Sequence, residues 1–256
     1  MKKHIIIFAA AIAPLAFFSC SKEKIETQQK DNSAQPNEFA FKPVFKPFIN
    51  LDSGLVARYE FDANLKEYNG KLADAVPNIP GYDTYTVDRR GATNSAIHFT
   101  GRYGVDISKI PLSSNMSVSL WARYDNTWQP DNYFLWNFWL SPQFGQFYGD
   151  NLCGVITTPQ TAGVPSGSID GNWHHLVATY DGKTLAYYVD GKFVGSLLNP
   201  NQGLPISQGA TIGYQVGYQT ALGGKFVTSR WFGSMDDLRF YTRILSAQEV
   251  KALYTL

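Results

Sequence analysis

Gly171-Asn-Trp-His-His-Leu-Val-Ala-Thr-Tyr-Asp-Gly182 is followed directly by a second run that ends in Tyr188-Val-Asp-Gly-Lys192 and a third, Lys192-Phe-Val-Gly-Ser196. Apolar and polar residues alternate through each run, the period of a half-buried strand whose successive side chains leave opposite faces. Asp181-Gly182 and Asp190-Gly191 separate the runs, and Asp-Gly between alternating segments is a hairpin signal because glycine accepts positive φ without strain. Residues 174–197 therefore predict a three-stranded antiparallel meander.

The same pattern extends outward. Val56-Ala-Arg-Tyr-Glu-Phe61 and Ser117-Val-Ser-Leu-Trp-Ala-Arg123 alternate likewise, with Gly, Pro, Asn and Asp between the runs. Only one helix is predicted. Ser246 followed by Glu249 forms a capping box that opens Ala247 to Tyr254. Many short strands without βαβ spacing predict one all-β sandwich or barrel over 51–256. A chain of that size buries a core without disulfide staples.

The amino-terminal end reads as an export signal. Lys2 and Lys3 precede an apolar run from Ile5 to Phe18. That run is short of the roughly 20 apolar residues of a comfortable membrane span and matches a signal-peptide core. Ser19-Cys20-Ser21 then resembles a bacterial lipobox, in which the cysteine is cleaved at its amino side and acylated, with Phe17 where leucine is usual. Residues 1–19 are expected to be removed and Cys20 to carry lipid, palmitate included, as in lipoproteins of Gram-negative, Bacteroidota-type bacteria. Residues 20–50 then form a tether, polar to about Glu38 and apolar from Phe39 to Phe48. The expected location is the outer membrane, at the cell surface or its periplasmic face.

Two cysteines, Cys20 and Cys153, leave no disulfide once one is acylated. Losing Lys2 and Lys3 takes 22 basic residues to 20 against 21 acidic, so the mature charge is about −1. No basic block supplies the positive footprint of nucleic-acid binding.

The quoted motif resembles the core of laminin-G-like, concanavalin A-like jelly-roll domains. Further segments fall in that family's order: Gly54-Leu-Val-Ala-Arg-Tyr-Glu-Phe-Asp-Ala-Asn64, Ala96-Ile-His-Phe-Thr-Gly101 and Phe232-Gly-Ser-Met-Asp-Asp-Leu-Arg-Phe-Tyr241. The resemblance implies a two-sheet antiparallel jelly-roll sandwich with a short C-terminal helix. Within it, Trp173 is expected at a strand entry in the core. His174 and His175 leave opposite faces of their strand, a poor geometry for a shared metal.

Three chemistries are candidates. The resemblance implies a structural Ca²⁺ near the first loop and closing strand, at Asp62, Asn64, Asp236 and Asp237. Hard oxygen donors suit that ion, and the same Asp and Asn residues also suit turns that cap their own backbone. Trp128, Tyr133, Trp136, Trp139 and Tyr148 sit in an aromatic-rich stretch whose flat rings suit sugar faces and equally suit a core. Glu60 and Asp62, two apart and followed by Glu67, resemble the carboxylate run of some jelly-roll glycosidases, but the third acid comes too late for paired catalysis. No other hydrolase or phosphate-loop motif is present, so the chain is read as non-catalytic. Two partners follow: a carbohydrate captured by the aromatic face, or a protein complex. In the second case the chain is an accessory lipoprotein of an outer-membrane TonB-dependent transporter that takes up glycan or peptide.

Overall fold

Alternation along β6 (Met116–Tyr124) organises the sandwich. Val118, Leu120 and Ala122 enter the main core. Ser117, Ser119 and Trp121 lie between them and are buried on the other face of the same sheet. A strand buried on both sides must be central, and β6 is flanked by two long antiparallel neighbours.

The computed structural model describes residues 49–111, 115–125, 136–138, 146–148, 151–153, 163–168, 170–198, 209–219 and 224–256. The described residues all fall in one unit, Pro47–Leu256. The chain before β6 forms β1 (Leu55–Tyr59), β2 (Val76–Pro77), β3 (Tyr85–Thr86), β4 (Ala96–Thr100) and β5 (Val105–Ser108). After β6 come β7 (Trp136–Phe138), β8 (Gln146–Tyr148), β9 (Asn151–Cys153), β10 (Gly163–Pro165), β11 (Trp173–Tyr180), β12 (Thr184–Val189) and β13 (Lys192–Leu198). The chain continues through β14 (Gly209–Ile212), β15 (Tyr214–Gln219), β16 (Gly224–Arg230), β17 (Phe232–Tyr241) and α1 (Ala247–Tyr254).

The larger sheet runs β13-β12-β11-β6-β17-β4-β3, with β1 also paired to β17. Its smaller partner runs β2-β5-β14-β7. The β8–β10 strands and the β15–β16 pair form two further small antiparallel sheets. Leu120, Leu176 and Phe240 from the larger sheet meet Val105, Ile107 and Ile212 from the smaller in one core. This is the expected all-β antiparallel sandwich. Each such side chain contributes about 1.5–3 kcal/mol by burial.

The meander of the opening motif is β11, β12 and β13, paired in sequence order. Asp190 and Gly191 both take positive φ, 51° and 72°, the primed turn that a twisted two-residue hairpin requires. At the other turn Asp181 accepts from its own backbone at Lys183 and Thr184. Helix α1 begins as its sequence predicts, with the Ser246–Glu249 capping box formed.

Helix α1 lies on the face of the larger sheet that turns away from the main core. Val250 and Leu253 pack there with Leu55, Val177, Tyr241 and Leu245 in a second, smaller core. Trp173 belongs to this side too, with Arg123 5.2 Å over its ring, instead of entering the main core as expected. The reason is parity: Trp173 shares the phase of His175 and Val177, while Leu176 and Ala178 take the core side.

Candidate functional site

Beside the end of α1, the outer face of the larger sheet carries a cleft of about 440 Å³. Its walls come from β1 and the loop after it, the loop between β3 and β4, and β17. A bulge in β17 makes the arrangement possible. Asp236 pairs with Trp121 and Arg239 with Ser119, so the register slips between them, and Asp237 takes φ 48°. A bulge places two residues against one and re-aims side chains. Asp236 and Asp237, neighbours in sequence, consequently reach one guanidinium.

That guanidinium is Arg89. It donates to Asp236 Oδ2 at 2.5 Å and to Asp237 Oδ2 at 2.6 Å. Its Cζ lies 4.7 Å over the Trp121 ring. Arg58 pairs with Glu60 at the rim, and its Nη2 lies 3.9 Å from Asp237 Oδ1. Arg239 Nη2 lies 3.5 Å from the same oxygen. Asp88 holds the β3–β4 loop by accepting the backbone N–H groups of Arg90 and Ala92. Burial pushes Asp236 up to about 7, helped by the charge of Asp237 next to it. Burial acts on Asp237 as well, but Arg239 and Arg89 outweigh it and hold that carboxyl below its ordinary range.

Behind the cleft the face stays polar and closed. His175 is buried, accepts or donates one bond between Nε2 and Ser119 Oγ at 2.9 Å, and packs against Trp121 at 5.3 Å. Burial drives its pKa down to about 3, with Arg239 adding to the effect. His174, on the opposite phase, lies between Asp190 at 2.8 Å and Asp170 at 3.0 Å.

The four residues expected around a metal are not assembled as ligands. Asp236 and Asp237 line the cleft, yet the cation they hold is Arg89. Asp62 stands exposed at the rim. Asn64 turns onto its own loop, its Oδ1 accepting from Lys66 N and its Nδ2 donating to Asp62 O. Among the described residues no group of three or more His, Cys, Asp or Glu can hold a metal ion. With Asp236 and Asp237 turned to Arg89 and Asn64 turned to its own loop, these side chains do not converge on one point as the oxygen ligands of Ca²⁺ must.

The expected carboxylate run is also broken up. Strand β1 ends at Tyr59, and Phe61 and Ala63 take φ of 57° and 51°, so Glu60 and Asp62 do not share a strand face. Glu67 is buried and accepts from the backbone of Arg58 and Lys71. A Ser–His–Asp set does occur: Ser234 Oγ lies 3.2 Å from His98 Nδ1, and His98 Nε2 lies 3.7 Å from Asp125. Ser234 has no exposed surface, so its hydroxyl meets no substrate in this conformation.

Of the five aromatic residues expected on a binding face, Trp128, Tyr133 and Trp139 lie outside the described residues, as does Cys20. Trp136 stands in β7 opposite Ile212, and Tyr148 in β8 opposite Asn151. Those expectations named none of the four arginines that line the cleft, Arg58, Arg89, Arg90 and Arg239. Arg89 and Arg90 have one sequence signal, the charged turn Asp88-Arg-Arg-Gly91, whereas Arg58 and Arg239 lie within β1 and β17.

The family model Laminin_G_3, described as the concanavalin A-like lectin/glucanases superfamily, matches residues 99–251. No curated protein matches the chain. Domain 4 of AbnA, a GH43 extracellular arabinanase from Geobacillus stearothermophilus solved in complex with arabinotriose, superposes with a TM-score of 0.61 at 20% identity. That match covers 79% of this chain and 98% of the arabinanase domain. The binding domain of Paraclostridial Mosquitocidal Protein 1 gives 0.58 at 16% identity, covering 78% of this chain and 52% of the other. The binding domain of Botulinum neurotoxin DC, in complex with SialylT, gives 0.59 at 11%, with 80% and 52% covered. The chain thus spans about half of each toxin domain, and at these identities the likeness is one of fold.

Proposed function

The chain belongs to the concanavalin A-like lectin/glucanases superfamily, and on that premise we propose that its charged cleft binds carbohydrate without catalysis, on a bacterial surface protein lipid-anchored through Cys20. The observation that carries this reading is the fixed array in the cleft. Arg89, Asp236 and Asp237 hold one another at 2.5 and 2.6 Å, while Glu60, Asp62 and Arg90 stand at the mouth. Sugar hydroxyls both donate and accept, and an open cleft of mixed, pre-oriented donors and acceptors matches them without reorganisation. The run of aromatic residues from Trp128 to Tyr148 adds candidate stacking surfaces. The fold it shares with a domain solved in complex with arabinotriose agrees. Catalysis is disfavoured because Glu60 is spent on Arg58 and Ser234 is buried.

The test is a glycan array read with wild-type protein and with Asp62→Ala, Trp136→Ala and Trp139→Ala. Binding that weakens tenfold or more in Asp62→Ala supports the cleft. Loss in the tryptophan variants alone moves the site to the aromatic stretch. Silence on every glycan, with a transporter co-purifying from membranes, would favour the accessory role in an uptake complex instead. Cys20→Ser should shift the protein from the membrane to the soluble fraction.

A further inference from the structure

We infer that the inner wall of the cleft, where Arg58 and Arg239 stand side by side, takes the carboxylate of an acidic sugar, so that the bound carbohydrate is a uronate-containing chain. This rests on the carbohydrate reading above and names its ligand class.

Arg239 is 6% exposed and lines the cleft. Its guanidinium offers five N–H donors and no acceptor. Its carboxylate partner among the described residues is Asp237 Oδ1, at the long distance of 3.5 Å. Its Nε is buried without a partner, and so is the Nε of Arg58. The two arginines are register partners on β17 and β1, and like charges directly opposite on adjacent strands are destabilising.

The acceptor supply around them is short. Arg89 engages Asp236 and takes Asp237 Oδ2. Oδ1 of Asp237 is left between Arg239 and Arg58, 3.5 and 3.9 Å away. Burial also raises Asp236 to about 7, which removes part of its charge near neutral pH. The Tyr241 hydroxyl, two residues along β17 on the same face, is a neutral acceptor beside Arg239. A buried charged donor short of acceptors is costly; Arg58 has Glu60, whereas the acceptors beside Arg239 are Asp237 Oδ1 at 3.5 Å and the neutral Tyr241 hydroxyl. A charged acceptor brought by the ligand would relieve Arg239.

A carboxylate fits best. It is planar and meets a guanidinium with two parallel hydrogen bonds, stronger than those a neutral hydroxyl accepts. Phosphate matches the fork too, but Asp62 and Asp88 at the mouth repel a dianion more than a monoanion. The carboxylate of a uronate supplies one negative charge and leaves the ring hydroxyls to Asp62 and Arg90, which also line the cleft.

The experiment is a glycan array on which galacturonan, alginate, glucuronoxylan and hyaluronan chains are printed beside their methyl-esterified forms and among neutral glycans, probed with the full-length protein. At least one free acid should bind tenfold or more tighter than its ester. That preference should shrink with added NaCl and vanish in Arg239→Gln. Because Arg239→Gln risks misfolding, its melting temperature is checked, and the acid-over-ester ratio of the wild-type protein decides alone. Equal binding of acid and ester, or binding of neutral glycans only, overturns the proposal and leaves the carbohydrate reading standing. Silence on the whole array overturns both.

Discussion

Trp121 of β6 stacks on Tyr254 of α1, with ring centroids 5.6 Å apart and planes inclined by 18°. Arg89 lies over the Trp121 ring and Lys251 Nζ 4.5 Å over that of Tyr254. The helix is thereby coupled to the floor of the cleft by ring contacts and cation–π attraction, the latter about 0.5–2 kcal/mol each. Tyr254→Ala should cost about 2 kcal/mol, as a partly buried aromatic truncation does, and should weaken ligand binding by loosening the seat of Arg89. Tyr254→Phe keeps the ring and should do neither. Urea unfolding of both variants separates the two cases, and equal stability of Tyr254→Ala and wild type would refute the coupling.

Arg89 is the group on which the cleft depends most. Its side chain and that of Asp236 are 8% and 6% exposed. Removing one partner of a buried pair leaves an uncompensated charge and costs about 3–5 kcal/mol. Arg89→Ala should lose that much in chemical denaturation at neutral pH. Arg89→Lys keeps the charge but not the fork, and should recover only part of it. Because burial raises Asp236 to about 7, the Arg89→Ala deficit should shrink below pH 6, where Asp236 is protonated while Arg239 still holds Asp237 charged.

The sandwich was legible because its signals are local. Asp190-Gly191 fixes a turn, Ser246 with Glu249 fixes a helix start, and alternation assigns faces, each within a few residues. The cleft was legible only in part. Asp236, Asp237 and Asp62 could be marked from sequence as acids near two loops, but their cation lies 147 residues before Asp236. No periodicity links Arg89 to β17; the sheet order does, by placing β4 beside β17. The bulge that brings Asp236 and Asp237 to one guanidinium is equally invisible, since it rests on φ 48° at an aspartate. Glu60 and Asp62 failed as a strand pair for a similar reason, a positive φ at Phe61 that apolar composition does not announce.

Calcium should leave the protein unchanged. With Arg89 bridging Asp236 and Asp237, a divalent ion would have to displace a guanidinium held by two short hydrogen bonds, and Asn64 is committed to its own loop. Thermal unfolding in EDTA and in millimolar Ca²⁺ should give the same midpoint. A rise of several degrees with Ca²⁺, or a binding heat in calorimetry, would show that the loops rearrange into a metal site.

The capping box at α1 offers a smaller, cleaner effect. Ser246 Oγ accepts from Glu249 N at 3.3 Å, and the Glu249 carboxylate accepts from Ser246 N at 2.8 Å and from Arg243. Ser246→Ala removes the reciprocal bond and should cost about 1 kcal/mol. The loss should appear in the urea midpoint with the slope unchanged, because α1 stays packed on Leu55, Val177 and Tyr241.

The adjacent histidines should act on stability with opposite signs. Burial holds His175 neutral to about pH 3, so below the ordinary histidine value near 6.5 the unfolded chain binds a proton that the folded one refuses. Its contribution is complete above that value and is lost as pH falls toward 3, at about 1.4 kcal/mol per pH unit. His174 is shifted the other way: burial opposes its charge, but the hydrogen bonds to Asp190 and Asp170 outweigh burial and raise its pKa. Its contribution is complete below about 6.5 and is lost as pH rises through the raised value. His175→Asn should flatten the acid limb of a stability–pH curve, whatever it does to stability at pH 7. His174→Asn should flatten the decline on the neutral-to-alkaline side. An acid limb of unchanged slope in His175→Asn would mean that this histidine is protonated in the folded protein, which its burial between Trp121 and Tyr254 does not allow.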